Sequence, residues 1–307
     1  MTKVLVATEK PFAKVAVEKI KKVTDEAGFE MVLLEKYKEV SELLTAIASA
    51  DAMIFRSDNI TPEVLDAAKN LKIAVRAGAG YDNIDLAAAT KNNVVVMNTP
   101  GQNANAVAEL ALAMMVYQAR NHFDGSSGVE LMDKTLGLLA YGNVSKNVAR
   151  IAKGFGMDVY AFDPYLAKAE IEKDGVKVVD STAELFKKCQ YVSLHIPATS
   201  ETKGSINYDL LMAMPAGAVL VNTARKEVVN EADLLKVFEE RPDFAYVTDV
   251  VPDCAAQIVE KFGKRYFATP KKMGAQTEEA NVNAGVAAAV QIRNFFEKGD
   301  KTFQVNK

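Results

Sequence analysis

Short apolar runs alternate with amphipathic stretches through the first third of the chain. KVLVATE, EMVLLEK, DAMIFRS, LKIAVRAG and NVVVMNTP are almost continuously apolar at their centres, as strands buried on both faces are. Between them, AKVAVEKIKKVTDEAG and EVSELLTAIASA place apolar residues at helical spacing. Strands alternating with helices predict a parallel sheet covered by helices on both faces. This first series closes by residue 98. NANAVAELALAMMVYQARN then predicts a long apolar helix, and FDGSSGVELMDK a polar connection. A second series follows, with strands at LGLLA, DVYAFD, VKVV, YVSLHIP, AVLVNT, AYVTDV and YFATP. The helix predicted at EEANVNAGVAAAVQIRNFFEKG is expected to return to the first domain. The pattern is that of two similar α/β domains.

Composition narrows the class without changing this picture. The 307 residues are 49% hydrophobic and 25% charged, values of a globular protein with ample length for a core. A net charge of -3 argues against a general nucleic-acid or membrane surface. Cys189 and Cys254 are isolated, so neither a disulfide framework nor a CxxC metal site is expected. The apolar run near Met1 reaches charge at Glu9, and no run of about 18 apolar residues follows. The expectation is a reduced, cytoplasmic protein without a metal.

The strongest local signal is KTLGLLAYGNVSKNVARIAKGFGMDVYAFDPY. A buried strand enters a tight turn, a helix runs from about Ser145 to Phe155, and a second strand ends at Asp163. In a dinucleotide-binding unit the helix N-terminus faces the pyrophosphate, and an acidic residue about 20 positions on bonds the ribose. The G-x-G-x-x-G positions read Ala140, Gly142 and Ser145. Gly142 keeps the close backbone approach, and Asn143 and Val144 beside it are expected at the cofactor. Ser145 stays small. A left-handed conformation at Ala140 would cost about 1–2 kcal/mol. A structural βαβ unit without nucleotide is the plainer alternative. If the site is real, the Asp163 carboxylate favours NAD over NADP.

Several motifs occur in order: RAGAGYDNID, NTPGQNANAVAEL, the turn ending in Asp163, SLHIPATSETKGSIN, VNTARKEVVNEADL, TDVVPD and KMGAQTEEAN. Together they resemble the D-2-hydroxyacid dehydrogenase family over nearly the whole chain, most closely its phosphoglycerate dehydrogenase branch. The resemblance implies α/β architecture with two Rossmann- or flavodoxin-like domains, parallel sheets and a cleft between them. Residues 1–98 with 285–307 would form the substrate-binding domain, and residues 99–284 the NAD-binding domain. It also implies NAD-dependent oxidation of D-3-phosphoglycerate, with glyoxylate or hydroxypyruvate reduction as the nearest alternative. A homodimer joined largely through the nucleotide domains is implied as well. Longer members carry a C-terminal serine-sensing domain, for which a chain stopping at Lys307 is expected to have no room.

Arg225 follows an apolar strand, at the edge where α/β sheets bind ligands, and its planar guanidinium can grip a carboxylate and polarise a carbonyl. The resemblance gives it that role on the 2-hydroxy or 2-keto acid. Gly78 and Ala79 lie in a turn after a buried strand, where consecutive amides could cradle an anion; the resemblance makes this the carboxylate loop. It also assigns Arg56 and Ser57 to the distal phosphate. Arg76 is expected to add positive field by its position alone, and Asn103 to be a further polar contact. His195, Ile196 and Pro197 would line the nicotinamide side, His195 without transferring a proton. Thr223, Ala224, Asp249, Gly274 and Ala275 complete the implied cofactor set.

The family's usual acid/base is a histidine two residues before the Gly of a Gly-Ala-x-Thr-x-Glu-Ala stretch; here that position is Lys272. The usual orienting glutamate, five positions after the Asp of TDV, is replaced by Cys254, preceded by Asp253. Two readings follow. Lys272 acts as a general acid/base, which needs no partner to fix a tautomer, or the pair is lost and the chain is a catalytically inactive NAD-binding module. A free lysine titrates near about 10.4, so the first reading expects burial and Arg225 to lower that of Lys272. Lys271 is expected to be a solvated turn residue.

Overall fold

The computed structural model describes residues 1–306. The chain divides into two compact units, Met1–Asn103 with Gln276–Lys307, and Ala104–Ala275.

In the first unit β1 (Lys3–Thr8), α1 (Lys14–Glu26), β2 (Glu30–Glu35), α2 (Val40–Ile47), β3 (Ala52–Phe55), α3 (Pro62–Ala67), β4 (Ile73–Arg76), α4 (Leu86–Lys91) and β5 (Val95–Asn98) alternate without interruption. The strands form a parallel sheet in the order β2-β1-β3-β4-β5. This is the doubly wound order in which ligands gather at the C-terminal strand edge. Both faces are covered. Leu5, Met53 and Phe55 pack into one core, and Val4, Val6 and Ile54 into another shared with α1 and the closing helix. On α1 the buried positions Ala16, Ile20 and Thr24 recur every four residues, one face of a helix.

The second unit comprises α5 (Ala104–Ala119), β6 (Thr135–Leu139), α6 (Asn143–Gly154), β7 (Asp158–Phe162), α7 (Lys168–Glu172), β8 (Lys177–Val178), α8 (Thr182–Lys188), β9 (Tyr191–Leu194), α9 (Tyr208–Ala213), β10 (Val219–Asn222), α10 (Glu231–Glu240), β11 (Ala245–Thr248), α11 (Ala255–Phe262) and β12 (Tyr266–Ala268). Its parallel sheet runs β12-β11-β10-β9-β6-β7-β8. The order reverses beside β6, and a nucleotide binds at such a switch point.

The closing helix α12 (Glu278–Lys298) belongs to the first unit and packs on α1. Gly285 makes this approach possible: a Cβ there would lie 2.8 Å from Ile20 Cδ1 and 3.1 Å from Phe12 Cε1. The boundaries expected at 98/99 and 284/285 therefore shift to 103/104 and 275/276. A cut at 284 would divide a continuous helix whose start is fixed at Thr277, where the hydroxyl accepts Ala280 N–H at 3.1 Å.

Candidate active site

The second unit aligns its strand tips because the backbone ladder continues one residue past several strands. His195 N–H donates to Leu139 O, Asp249 N–H to Asn222 O and Thr269 N–H to Thr248 O. Ala140, Asp163, His195, Thr223, Asp249 and Thr269 thus lie along one edge. The candidate chemistry is gathered there.

At the tip of β6, Ala140 has φ +71°, the left-handed conformation whose cost the sequence raised. Ser145 is fully buried, and its hydroxyl donates to Ala140 O at 2.7 Å, which ties the strained turn to the helix it feeds. The helix starts at Asn143, two residues before the expected Ser145, with Gly142 as N-cap and no side chain satisfying its first amides. A Cβ at Gly142 would meet nothing within 4 Å. Free helix-terminal N–H groups beside open space suit a phosphate. Asn143 and Val144 form this first turn. Asp163, one step past β7, accepts Tyr141 N–H on Oδ2 at 2.8 Å and Tyr165 N–H on Oδ1 at 2.9 Å. A carboxylate has about four acceptor sites, so capacity remains for a ribose diol.

Further along the edge, Thr223 Oγ1 and His195 Nε2 are buried atoms with no hydrogen-bond partner among the described residues. Buried polar atoms are normally paired, so such orphans fit a ligand's polar groups. Burial drives the His195 pKa down to about 4, which leaves the ring neutral near pH 7. Ile196 is half-buried and Pro197 exposed beside it. The turn, helix terminus, acidic strand end and orphaned polar atoms fit a dinucleotide.

Arg225 is half-buried just beyond β10. Its position is set by Asn222, which is fully buried: Nδ2 donates to Arg225 O and Oδ1 accepts Ala224 N–H, both at 2.9 Å. Asn222 was not singled out from the sequence, although it stands inside the VNTAR stretch.

Asp249, expected at the cofactor, anchors the turn that carries Lys272. It is 1% exposed. Oδ1 accepts Thr269 O–H at 2.7 Å and Met273 N–H at 2.8 Å, and Oδ2 accepts Gly274 N–H at 2.8 Å. These donors bracket Lys272 on both sides. Gly274 is buried beneath α5, where an added Cβ would lie 3.0 Å from Asp249 Oδ2 and 3.3 Å from Val107 Cγ2. Ala275 is half-buried next to it. Lys272 and Lys271 are both exposed, so burial of the Lys272 amine, which the sequence argument invoked, is not what this structure provides.

Cys254 is 6% exposed, and burial foremost pushes its thiol up to about 12. It is an inert neutral group rather than a substitute for a carboxylate. Glu231 holds the segment instead, Oε1 accepting Asp253 N–H at 2.9 Å and Oε2 accepting Cys254 N–H at 2.8 Å. Asp253 pairs with Lys226 at 2.6 Å.

In the first unit, Arg56, Ser57, Gly78 and Ala79 lie just past β3 and β4 on the same sheet edge. Arg76 Nε donates to Arg56 O at 3.0 Å. The Arg76 guanidinium occupies the space a side chain at Gly78 would need, only 1.6 Å from an added Cβ. Gly78 N–H already donates to Arg76 O at 2.8 Å, so the expected anion cradle is left to Ala79 and the residues after it. Asn103 is half-buried in the turn before α5.

Among the described residues no cluster of His, Cys, Asp or Glu could hold a metal ion, and no helix is long and apolar enough to cross a membrane.

A seven-stranded parallel sheet in this order, with a bare helix terminus and an acidic strand end at its switch point, defines a Rossmann-class dinucleotide-binding domain. Residues 103–262 match the NAD binding domain of D-isomer specific 2-hydroxyacid dehydrogenases. A D-3-phosphoglycerate dehydrogenase of Methanocaldococcus jannaschii is 34% identical over 89% of this chain and 54% of its own length. A hydroxypyruvate reductase of Thermotoga maritima is 35% identical over 86% of this chain and 90% of its own. The crystal structure of NAD+-bound 3-phosphoglycerate dehydrogenase of Entamoeba histolytica superposes with a TM-score of 0.89 at 47% identity, covering 100% of this chain and 99% of that one. The chain belongs to the D-isomer specific 2-hydroxyacid dehydrogenase family. It spans about half the length of the first curated phosphoglycerate dehydrogenases it matches.

Proposed function

We propose that this chain is an NAD-dependent D-2-hydroxyacid dehydrogenase that interconverts D-3-phosphoglycerate and 3-phosphohydroxypyruvate, the redox step of serine biosynthesis. The observation that carries this reading is the anchoring of the Lys272 turn by Asp249, through Thr269, Met273 and Gly274. A buried carboxylate with three donors is an expensive way to hold a surface loop of no consequence. The same observation weighs against an inactive nucleotide-binding module.

In this reading Gly142, Asn143 and Val144 take the pyrophosphate, and Asp163 takes the adenosine ribose. His195, Ile196, Pro197, Thr223 and Ala224 line the nicotinamide end, with Gly274 and Ala275 closing beside it. NAD, when bound, accepts or returns the hydride at the substrate's C2. Arg225 holds the carboxylate and polarises the C2 oxygen. Lys272 gives its ammonium proton to that oxygen during reduction, and its neutral amine takes the hydroxyl proton during oxidation. Arg56 and Ser57 take the distal phosphate, and Ala79 and Asn103 the polar groups nearer C1. The working form is a cytoplasmic homodimer joined through the second unit.

Hydroxypyruvate or glyoxylate reduction is the second reading. It is favoured by the Thermotoga relative, of which the chain covers 90%.

Lys272→Ala tests the assignment. Turnover should fall by about 10²–10⁴-fold, the usual contribution of a general acid/base, with NAD affinity near normal and a far smaller loss in Lys271→Ala. Near-full turnover in Lys272→Ala, with abolition in His195→Ala, would make His195 the acid/base.

A further inference from the structure

Arg56 was singled out from the sequence; the residue two positions on, Asp58, was not. Asp58 is 2% exposed. Its Oδ1 accepts Glu9 N–H at 2.7 Å and Tyr37 O–H at 2.8 Å, and its Oδ2 accepts Arg56 N–H at 3.2 Å. Burial and the adjoining carboxylate push the Tyr37 phenol up, so it stays a neutral donor. One carboxylate thereby joins the segment after β1 to the turn after β3.

Both ends of that connection bear on Arg56. Its Nη1 donates to Lys10 O and Pro11 O, each at 3.1 Å, in the segment that Asp58 holds through Glu9. Its Nη2 donates to Asn281 Oδ1, and its guanidinium lies 5.1 Å from the Phe12 ring centre. Its own carbonyl accepts Asn83 Nδ2 at 3.0 Å, and the same amide reaches Asp58 O at 2.7 Å. A guanidinium has five N–H donors. Nη1 and one Nη2–H have acceptors here, which leaves Nε–H and the other Nη2–H. Nε–H and Nη2–H are a pair that can grip a phosphate bidentately.

We propose that Asp58 is a positioning residue for substrate selectivity: it fixes the Glu9–Phe12 segment against the Arg56 turn so that the two remaining guanidinium donors are aimed at a phosphoryl group. The proposal rests on the reading in which Arg56 takes the distal phosphate. A carboxylate suits the place because every group converging on it is a donor. Asparagine would keep an oxygen for Glu9 and Tyr37 but turn an NH₂ toward Arg56 N–H, which releases the turn alone.

The test is steady-state kinetics of NADH oxidation with 3-phosphohydroxypyruvate and with hydroxypyruvate, on the unmodified protein, Asp58→Asn, Arg56→Lys and the double variant. Asp58→Asn should raise KM for the phosphorylated acid by about tenfold or more, the scale of one lost hydrogen bond to a charged group. KM for hydroxypyruvate, KM for NADH and kcat should stay within about twofold, because the positioning acts on the phosphate contact only. In the Arg56→Lys background the same substitution should add less than about twofold, as residues acting through one contact are not additive. Equal losses on both substrates, a fall in kcat, or full additivity would mean that Asp58 only supports the fold. If Asp58→Asn does not fold, Tyr37→Phe, which removes one donor, carries the same comparison with a smaller expected shift. An unmodified protein with no preference for the phosphorylated acid would overturn the functional reading and the proposal together. A preference that survives in Asp58→Asn would overturn the proposal alone.

Discussion

Replacing Asp249 with asparagine isolates the part of the site on which the catalytic reading depends. The carboxylate receives three donors and has no donor of its own: Thr269 O–H and Met273 N–H on one oxygen, and Gly274 N–H on the other. An asparagine oxygen would serve the first pair, because Met273 N–H cannot turn away. Its NH₂ would then face Gly274 N–H, donor against donor, with no room to retreat: Gly274 is buried. An unsatisfied buried donor costs about 1–3 kcal/mol. For a unit of this size that lowers Tm by about 2–4 °C per kcal/mol, so a fall of about 2–12 °C is expected by calorimetry. The second consequence is local. Displacement of the turn by about 1 Å is enough to cost about 10²-fold in rate, so kcat should fall by that order. In the Lys272→Ala background, Asp249→Asn should lose little further turnover, since it acts through the same turn. Unchanged Tm and turnover in Asp249→Asn would refute the anchoring argument. Undiminished further loss in the Lys272→Ala background would place Asp249 in contact with the cofactor instead.

Ala140→Gly should relieve the left-handed strain at φ +71°: removing about 1–2 kcal/mol of strain against the added chain entropy of glycine, about 0.5–1 kcal/mol, should raise Tm slightly, and a drop of several degrees would show that the turn is not strained. His195 carries a pKa lowered to about 4 by burial; the unfolded chain therefore binds a proton that the folded one refuses, so stability is full above about 6.5, falls as pH drops toward about 4, and His195→Gln should flatten that part of a pH–Tm curve, whereas an unaltered slope would contradict the burial. Asp163→Ala should weaken NAD binding and relax discrimination against NADP; equal use of both cofactors by the unmodified protein would sink the ribose assignment.

The sheets were legible because their strands are short, apolar on both faces and separated by helical spacing, so five strands and then seven could be read in order. The start of α12 was legible: the helix read from Glu278 begins there, after Thr277, whereas the domain boundary at 284/285 falls inside that helix. The strain at Ala140 was foreseen from one position of a glycine pattern. The start of α6 was not, because Gly142 caps the helix without a side chain to announce it.

At the candidate site, Arg225 and Lys272 are proposed from the local motifs around them. The residues that hold them in place could not be named that way. Asp249 meets Gly274 across 25 positions, Glu231 meets Cys254 across 23 and Asp58 meets Glu9 across 49. Such pairings exist only once strand tips are brought side by side, and no spacing rule along one chain contains them. Exposure was hidden for the same reason: nothing near Lys272 in sequence distinguishes a lysine on an anchored turn from one buried beneath it.

The proposed transfer of hydride between NAD and a small 2-hydroxy acid with a distal phosphate is tested most directly by following NADH absorbance with the unmodified protein against 3-phosphohydroxypyruvate, hydroxypyruvate, glyoxylate and pyruvate in parallel. The account predicts NADH oxidation with the highest kcat/KM for 3-phosphohydroxypyruvate, and a reverse reaction with D-3-phosphoglycerate that grows as pH rises and the lysine amine is freed of its proton. NAD binding by calorimetry, with no NADH oxidation on any of the four acids, would contradict it and leave an inactive nucleotide-binding protein in its place.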